Sequence, residues 1–400
     1  MKTINFKALY KFEGYVIKEL KCEETCAQIK IDFDKRFPIK CPHCSAQLPK
    51  NKIGSSCAMD SPMGRAKQVF ILFPTYQGRC AHCQRYVTTR PKEVHPTKTA
   101  TWRLMREISS WAGIAPANQI ANLYNISATT VKSYDREVLD EDTPPPKLDG
   151  IRALLVDEKS IRKKHNYVTV VINADTGEML YMKEGKKSGV LDGFFEQLSA
   201  DQKASIQAVG MDRGGAYKKS TEKNLPNAAI VFDHFHLKMN INTAVDEVRR
   251  NEWRKAAQSE KKFIKSSRYL LLANEGNLTD DGVTKLKRLR EVNEPISTAY
   301  LLKEQFSVVY QYKKEGWARK YLEKWCELAE NSGLKAFIKL AKGFRKSASE
   351  IVSYVKHKIT SGKIEGTNNL ISRIVHRSCG VQDLDYLYAR LRHDSVMRSV

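Results

Sequence analysis

Ile151-Arg-Ala-Leu-Leu-Val-Asp-Glu158, Ile206-Gln-Ala-Val-Gly-Met-Asp212 and Ala228-Ala-Ile-Val-Phe-Asp233 decide the fold. Each is a short apolar run ending on a carboxylate. Runs of this length, aliphatic and bounded by polar residues, read as buried strands. Between the first two lie further strand candidates at 167–172 and 178–182, joined by Asp175-Thr-Gly177, a hairpin turn sequence. Residues 191–198 read as a helix, and a long helical stretch begins near His234. The order is strand, strand, strand, helix, strand, helix, strand, helix. A three-strand meander followed by crossover units is the order of the ribonuclease H-like fold. It predicts an α/β core at 151–240 whose first and fourth strands lie side by side.

In that arrangement Asp157 and Asp212 stand at neighbouring strand ends. Two carboxylates in contact repel unless cations screen them. A pair of Mg²⁺ or Mn²⁺ ions about 4 Å apart would do so and would suit an in-line displacement at phosphorus. A third carboxylate is expected from a later helix. Glu365, in Ser361-Gly-Lys-Ile-Glu-Gly-Thr-Asn-Asn369, is the candidate. Helical spacing places Asn368, Asn369 and Ser372 on its face, with Arg373 beside it. Asn368 and Arg373 are therefore candidates for DNA contact, and Ile364, Leu370, Ile371 and Ile374 for the core. One Asp at a strand end is more often a cap or turn residue; three carboxylates in this topology point to metal-dependent phosphoryl transfer. Asp233, His234 and His236 form a separate cluster. It either binds metal or, more economically, caps the following helix or contacts DNA.

Upstream, residues 101–140 read as helices. Trp102, Leu104, Met105, Ile108, Trp111 and Ala112 recur at helical spacing. A second helix is expected at 119–124, a turn at Asn125-Ile126, and a third helix from Ala128 with Ser127 as its N-cap. Ile120, Ala121, Leu123, Ile126 and Val131 are assigned to the core. The pattern is that of a DNA-binding helix-turn-helix with Thr129, Thr130, Lys132 and Ser133 facing the duplex; a plain helical hairpin is the alternative. Asn125 replaces the usual turn Gly and tolerates positive φ. Pro144-Pro-Pro146 reads as a stiff linker.

Nine cysteines occur, seven of them before residue 84. Cys41-Pro-His-Cys44 and Cys80-Ala-His-Cys83 are two Cys-x2-Cys pairs flanking a strand candidate, Gln68-Val-Phe-Ile-Leu-Phe73. Two such knuckles supply the four-sulfur shell of a structural Zn²⁺ and read as a zinc ribbon. Disulfides are the alternative, disfavoured by the lack of a secretory signal. Cys22, Cys26 and Cys57 suggest either a second site or small buried side chains.

Downstream, residues 240–345 are helical and basic. Arg249, Arg250, Arg254 and Lys255 open a series of cationic runs, with Arg249 and Arg250 as candidate phosphate contacts. Trp253, Trp317 and Trp325 are expected in the core.

The 400 residues carry 68 Lys plus Arg against 45 Asp plus Glu, a net charge of +23. Only +3 of this falls within 151–240. A basic surface around a nearly neutral centre suits an enzyme that grips a polyanion and works on it at an acidic point. A composition 42% hydrophobic and 28% charged excludes a disordered chain. No apolar run approaches the ~18 residues of a membrane span. The N-terminus lacks an apolar leader core. A cytoplasmic protein without membrane contact is expected.

Together the Cys-x2-Cys knuckles, the helix-turn-helix, Val156-Asp-Glu158, Val209-Gly-Met-Asp212, Val231-Phe-Asp-His-Phe-His-Leu237 and Gly362-Lys-Ile-Glu-Gly-Thr-Asn-Asn369 resemble the ISL3 family of insertion-sequence transposases. The resemblance covers nearly the whole chain. It implies that Asp157, Asp212 and Glu365 are a DDE triad, and that a helical insertion separates the last two. It implies cleavage and strand transfer of DNA at terminal inverted repeats, with target DNA as the second substrate and a homo-oligomer on the element ends. Tyr217 matches a Tyr usual after the second Asp. Arg213-Gly-Gly215 and Thr367 depart from the family's usual bulkier and branched apolar residues. The expected layout is a zinc ribbon at 1–95, a helix-turn-helix at 96–143, the ribonuclease H-like core at 151–240, a helical insertion at 241–345 and closing core helices at 346–400. Two other functions fit parts of the pattern: a catalytically inactive DNA-binding regulator, and a metal-dependent nuclease without strand transfer.

Overall fold

The computed structural model describes residues 10–49, 53–162, 166–213, 215–273, 275–378 and 383–399. Residues 1–9, which begin the segment read for a leader, and Gly214 and Cys379 lie outside them. The chain forms two compact units, Met1–Pro144 with Arg377–Cys379, and Pro145–His376 with Gly380–Val400.

In the first unit, β1 (Tyr15–Cys22), β2 (Cys26–Phe33), β3 (Ile53–Asp60) and β4 (Gln68–Arg79) form a mixed sheet in the order β1-β2-β4-β3. β2 runs parallel to β4, and the other pairs are antiparallel. Period-two alternation buries Ala27, Ile29 and Ile31 of β2 against Val69, Ile71 and Phe73 of β4. β5 (Tyr86–Thr88) pairs the far end of β4. The cysteine module is thus an extension of β4 and β5, carried by a larger sheet than a bare ribbon requires.

Three helices follow: α1 (Trp102–Ala112), α2 (Ala117–Tyr124) and α3 (Ala128–Asp142). Asn125 closes α2 at φ 52°, and the Ser127 hydroxyl accepts from the Thr130 amide to cap α3. Leu104, Ile108, Ile120, Ala121, Tyr124 and Val131 pack together. Leu123 does not join them and is 60% exposed. Ile120, Ala121 and Tyr124 set the inward face of α2, and Leu123 points roughly 100° away from its centre.

In the second unit, β6 (Ala153–Arg162), β7 (Asn166–Asn173), β8 (Met179–Glu184), β9 (Ala208–Met211) and β10 (Ala229–Phe232) form a sheet in the order β10-β9-β6-β7-β8. β6, β7 and β8 form an antiparallel meander, and β9 and β10 run parallel to β6. β6 does not stop at Asp157. Glu158, Lys159 and Ser160 continue to pair with Thr169, Val168 and Tyr167 of β7. Asp157 is therefore mid-strand.

Helices α4 (Ser188–Phe195), α5 (Ala200–Ser205) and α6 (Gly215–Asn224) connect the strands. After β10 come α7 (His234–Lys255), α8 (Gln258–Ser266), α9 (Arg268–Leu272), α10 (Asp280–Val292), α11 (Glu294–Ser307), α12 (Glu315–Asn331), α13 (Lys335–Lys346) and α14 (Ala348–His357). Leu154, Val156, Val209 and Met211 of the sheet share one core with Tyr300, Phe306, Trp325, Phe337 and Phe344 of these helices. The insertion is thus packed on the sheet. On the opposite face, Leu155, Val170 and Val231 meet Ile364, Leu370, Ile371 and Ile374 of α15 (Gly362–Arg377) and Leu387 and Leu391 of α16 (Leu384–Ser399). Trp325 is buried as expected, whereas Trp317 is 60% and Trp253 36% exposed. Lys320 and Lys261 lie over their rings, which keeps the indoles at the surface as cation–π partners. Among the described residues, no helix is long and apolar enough to cross a membrane.

Candidate functional site

Parallel register gathers the acidic residues. Val156 pairs with Met211, and Met211 with Phe232. The next residue on each chain is Asp157, Asp212 and Asp233. Three adjacent strands thus deliver a carboxylate at the same level. From the first turn of α15, Glu365 lines the same pocket, together with His236 and Ser361. No Lys or Arg lines it among the described residues. Asp212, Asp233 and His236 bring ligand atoms within 4.8 Å of one another, a group that could hold a metal ion, and Asp157 and Glu365 line the same pocket with further carboxylate oxygens, the donors that hard divalent cations take.

Each side chain is restrained. Asp157 Oδ1 accepts from the Glu158 amide at 2.7 Å, and Oδ2 accepts from Asn368 Nδ2 at 2.6 Å. Burial raises the Asp157 carboxyl above its ordinary value, while these two donors pull it back. Burial also pushes Asp212 up to about 6; His236 opposes the shift, and the nearby charges of Asp157, Asp233 and Glu158 add to it. A bound cation would reverse both burial costs. Ser361 Oγ donates to Glu365 Oε1 at 2.7 Å, one helical turn away. Asp233 caps α7, accepting from the His236 amide, which is the capping role expected of it. Tyr217 is buried, with its hydroxyl 2.9 Å from Thr169 Oγ1.

The DNA-facing candidates divide. Thr129 and Lys132 are exposed at the start of α3, and Thr130 and Ser133 are half-buried. The Thr129 and Thr130 hydroxyls bond to Ser127, and Ser133 accepts from Lys98 Nζ at 3.0 Å. Arg250 and Arg373 are exposed. Arg249 is not: it lies on the face of α7 that also buries Val245 and Val248, with its guanidinium 2.8 Å from Asp246 Oδ1. Asn368 is half-buried and its amide is committed to Asp157. Sequence reasoning missed Ser361; its spacing of four residues before Glu365 was the available signal.

At the end of β4, Cys41, Cys44, Cys80 and Cys83 bring their sulfurs within 4.8 Å of one another, as a metal site requires. Cys41 and Cys83 are 3.8 Å apart, and Cys44 and Cys80 3.7 Å. A tetrahedron with Zn–S bonds of about 2.3 Å has edges of about 3.8 Å. The knuckles are alike. The Ser45 amide bonds the Cys41 carbonyl at 2.9 Å, and the Gln84 amide bonds the Cys80 carbonyl at 3.0 Å. Ser45 and Gln84 both sit at φ 60°. The amides of Cys83 and His82 help draw the Cys80 thiol down to about 6, while, against the Ala46 amide, burial and the neighbouring thiols push that of Cys44 up to about 12, as expected of four thiols in contact that share no cation. Cys22, Cys26 and Cys57 lie on β1, β2 and β3, apart from this group.

Residues 154–391 match a family model of the ISL3 type described as transposase. The chain is 30% identical over 295 residues to the transposase for insertion sequence element IS1001 of Bordetella parapertussis, covering 73% of each chain. It is 26% identical over 316 residues to the transposase for insertion sequence element IS1557 of Mycobacterium tuberculosis, covering 73% of this chain and 67% of that one.

Proposed function

The chain belongs to the ISL3 family of insertion-sequence transposases, and from that premise we propose that Asp157, Asp212 and Glu365 are the DDE triad of a ribonuclease H-like catalytic core that cuts and joins DNA. The observation that carries this reading is the convergence of the three carboxylates on one pocket from β6, the end of β9 and α15. Asp157 and Asp212 would hold the divalent cations, Mg²⁺ or Mn²⁺, and Glu365 would complete the set. Cations bound there supply Lewis-acid activation of a water or a 3′-hydroxyl and charge for the leaving oxygen. Asn368 fixes the face that Asp157 presents, and Ser361 does so for Glu365.

The cysteine module is a structural zinc ribbon, and α1–α3 are a helix-turn-helix that reads the terminal inverted repeats. Thr129, Thr130, Lys132 and Ser133 face the duplex. Arg250 and Arg373 contact phosphates, which position the DNA without reading its sequence. Pairing of two element ends calls for a homo-oligomer on DNA.

The test incubates the protein with labelled element ends, target plasmid and Mg²⁺ or Mn²⁺, alongside Glu365→Gln. Wild type is expected to bind, cut and join, and the variant only to bind. Binding without cutting would make the protein a regulator, and cutting without joining a nuclease. Equal activity in Glu365→Gln would remove Glu365 from the reaction.

A further inference from the structure

The Asp233–His236 pair is not needed to fill the triad, yet it touches Asp212. His236 Nδ1 lies 2.7 Å from Asp212 Oδ1 and 2.8 Å from Asp233 Oδ2. The hydrogen bond joins His236 Nδ1 to Asp233 Oδ2, and the contact with Asp212 Oδ1 stands beside it at ion-pair distance. Asp233 Oδ2 also accepts from the His236 backbone amide at 3.2 Å. One carboxylate oxygen therefore caps the helix and sets the ring angle together. Asp233 is held through Oδ2, while its Oδ1 is buried without a hydrogen-bond partner among the described residues. It is 6% exposed, and its Oδ1 faces His234 Nδ1 at 3.6 Å. His234 is in turn packed against the rings of Tyr354 and Tyr310, with centroids 4.9 and 5.7 Å away. Asp212 sits just past the end of β9, where the ladder no longer restrains it. Among the described residues, the 2.7 Å contact with His236 Nδ1 is the one ion pair that Asp212 makes.

We propose that His236, locked by Asp233, is the positioning residue of Asp212: it holds one carboxylate oxygen and so fixes the face that Asp212 turns to a divalent cation. The inference rests on reading Asp212 as a cation ligand. Groups that orient metal ligands from behind typically change metal affinity 10–100-fold when removed.

The test is Mn²⁺ titration of the full-length protein by electron paramagnetic resonance, with thermal unfolding as the check on folding. His236→Ala is expected to weaken Mn²⁺ binding about tenfold or more. His236→Asn, whose amide nitrogen can take the place of Nδ1, is expected to stay close to wild type. Asp233→Ser keeps a capping hydroxyl for α7 but is too short to hold the ring, and is expected to follow His236→Ala. Pulsed spectra of Mn²⁺ bound to wild type are expected to show no directly coordinated nitrogen. Unchanged affinity in His236→Ala, equal loss in His236→Asn, or a directly coordinated nitrogen would each overturn the proposal. Asp157→Asn separates it from the reading beneath. Loss there with His236→Ala unaffected overturns the positioning role alone, whereas full binding in Asp157→Asn removes the cation site itself.

Discussion

Replacing Gly210 with Ala places one methyl group where the fold has no room for it. Gly210 lies in β9, between Leu155 of β6 and Val231 of β10 in the register. A Cβ there would stand 2.7 Å from both Leu155 Cδ2 and Ile359 Cγ2. Both neighbours are buried, at 4% and 8% exposure, and β9 is paired on each side, so neither the strand nor its contacts can move freely. Overpacking of this kind costs typically 1–3 kcal/mol. Two simultaneous overlaps in the middle of a sheet argue for the upper half of that range. The effect on catalysis should exceed the effect on stability. Asp212 is two residues downstream of Gly210, and Ser361, which orients Glu365, is two residues downstream of Ile359. Displacing Ile359 moves one wall of the pocket relative to the other. The assay is urea unfolding followed by tryptophan fluorescence, since Trp325 is buried in this unit, paired with cleavage rates under conditions where the variant is fully folded. Gly215→Ala is the control, because a Cβ there meets nothing within 4 Å. Gly210→Ala with wild-type stability and wild-type cleavage would refute the reasoning.

Further tests address charge and metal. Purified protein is expected to carry one Zn²⁺ per chain by elemental analysis, and Cys80→Ser to lose it together with the ordered packing around Ile39, Leu48, Tyr76 and Val87; a zinc-free wild type that stays folded would contradict this. Without divalent cations, the Asp212 carboxyl, held at about 6, favours the fold while protonated. Its contribution is complete below its unfolded value near 4 and is lost as pH rises through 6. The thermal midpoint of wild type should therefore fall relative to that of Asp212→Asn between those pH values, and Mg²⁺ should restore it at pH 7. Parallel curves would contradict the assignment. Arg250→Ala should leave stability intact and lower the salt dependence of DNA binding by about one counterion. Arg249→Ala should instead lower stability, because it empties a buried position and leaves Asp246 only its exposed partners Arg250 and Arg268.

The core strands were legible because aliphatic runs and turn residues punctuate the chain clearly. Their pairing followed from order alone, and Asp157 and Asp212 emerged as neighbours. The length of β6 was not legible. Past Asp157 its residues are Glu, Lys and Ser, which look like a loop, yet they remain in the ladder because one side of this stretch faces solvent. Asn125 announced its positive φ by its identity, while Ser45 and Gln84 gave no such signal. Trp253 and Trp317 misled because a large aromatic suggests burial, whereas a lysine over the ring keeps each at the surface. Asn368 was recognised as part of the Glu365 face, but its role could not be read without knowing that α15 packs over β6. The contact between His236 and Asp212 was hidden for the same reason, since it joins two neighbouring strand ends rather than two nearby residues.

The central claim is that Asp157, Asp212 and Glu365 act as one unit on DNA. The most direct test measures single-turnover cleavage of element ends by Asp157→Asn, Asp212→Asn, Glu365→Gln and the triple variant. Groups that act together are not additive. Each single variant is expected to fall to the same low rate, with the triple variant no lower. A single variant that cleaves near the wild-type rate, or losses that multiply in the triple variant, would contradict the claim.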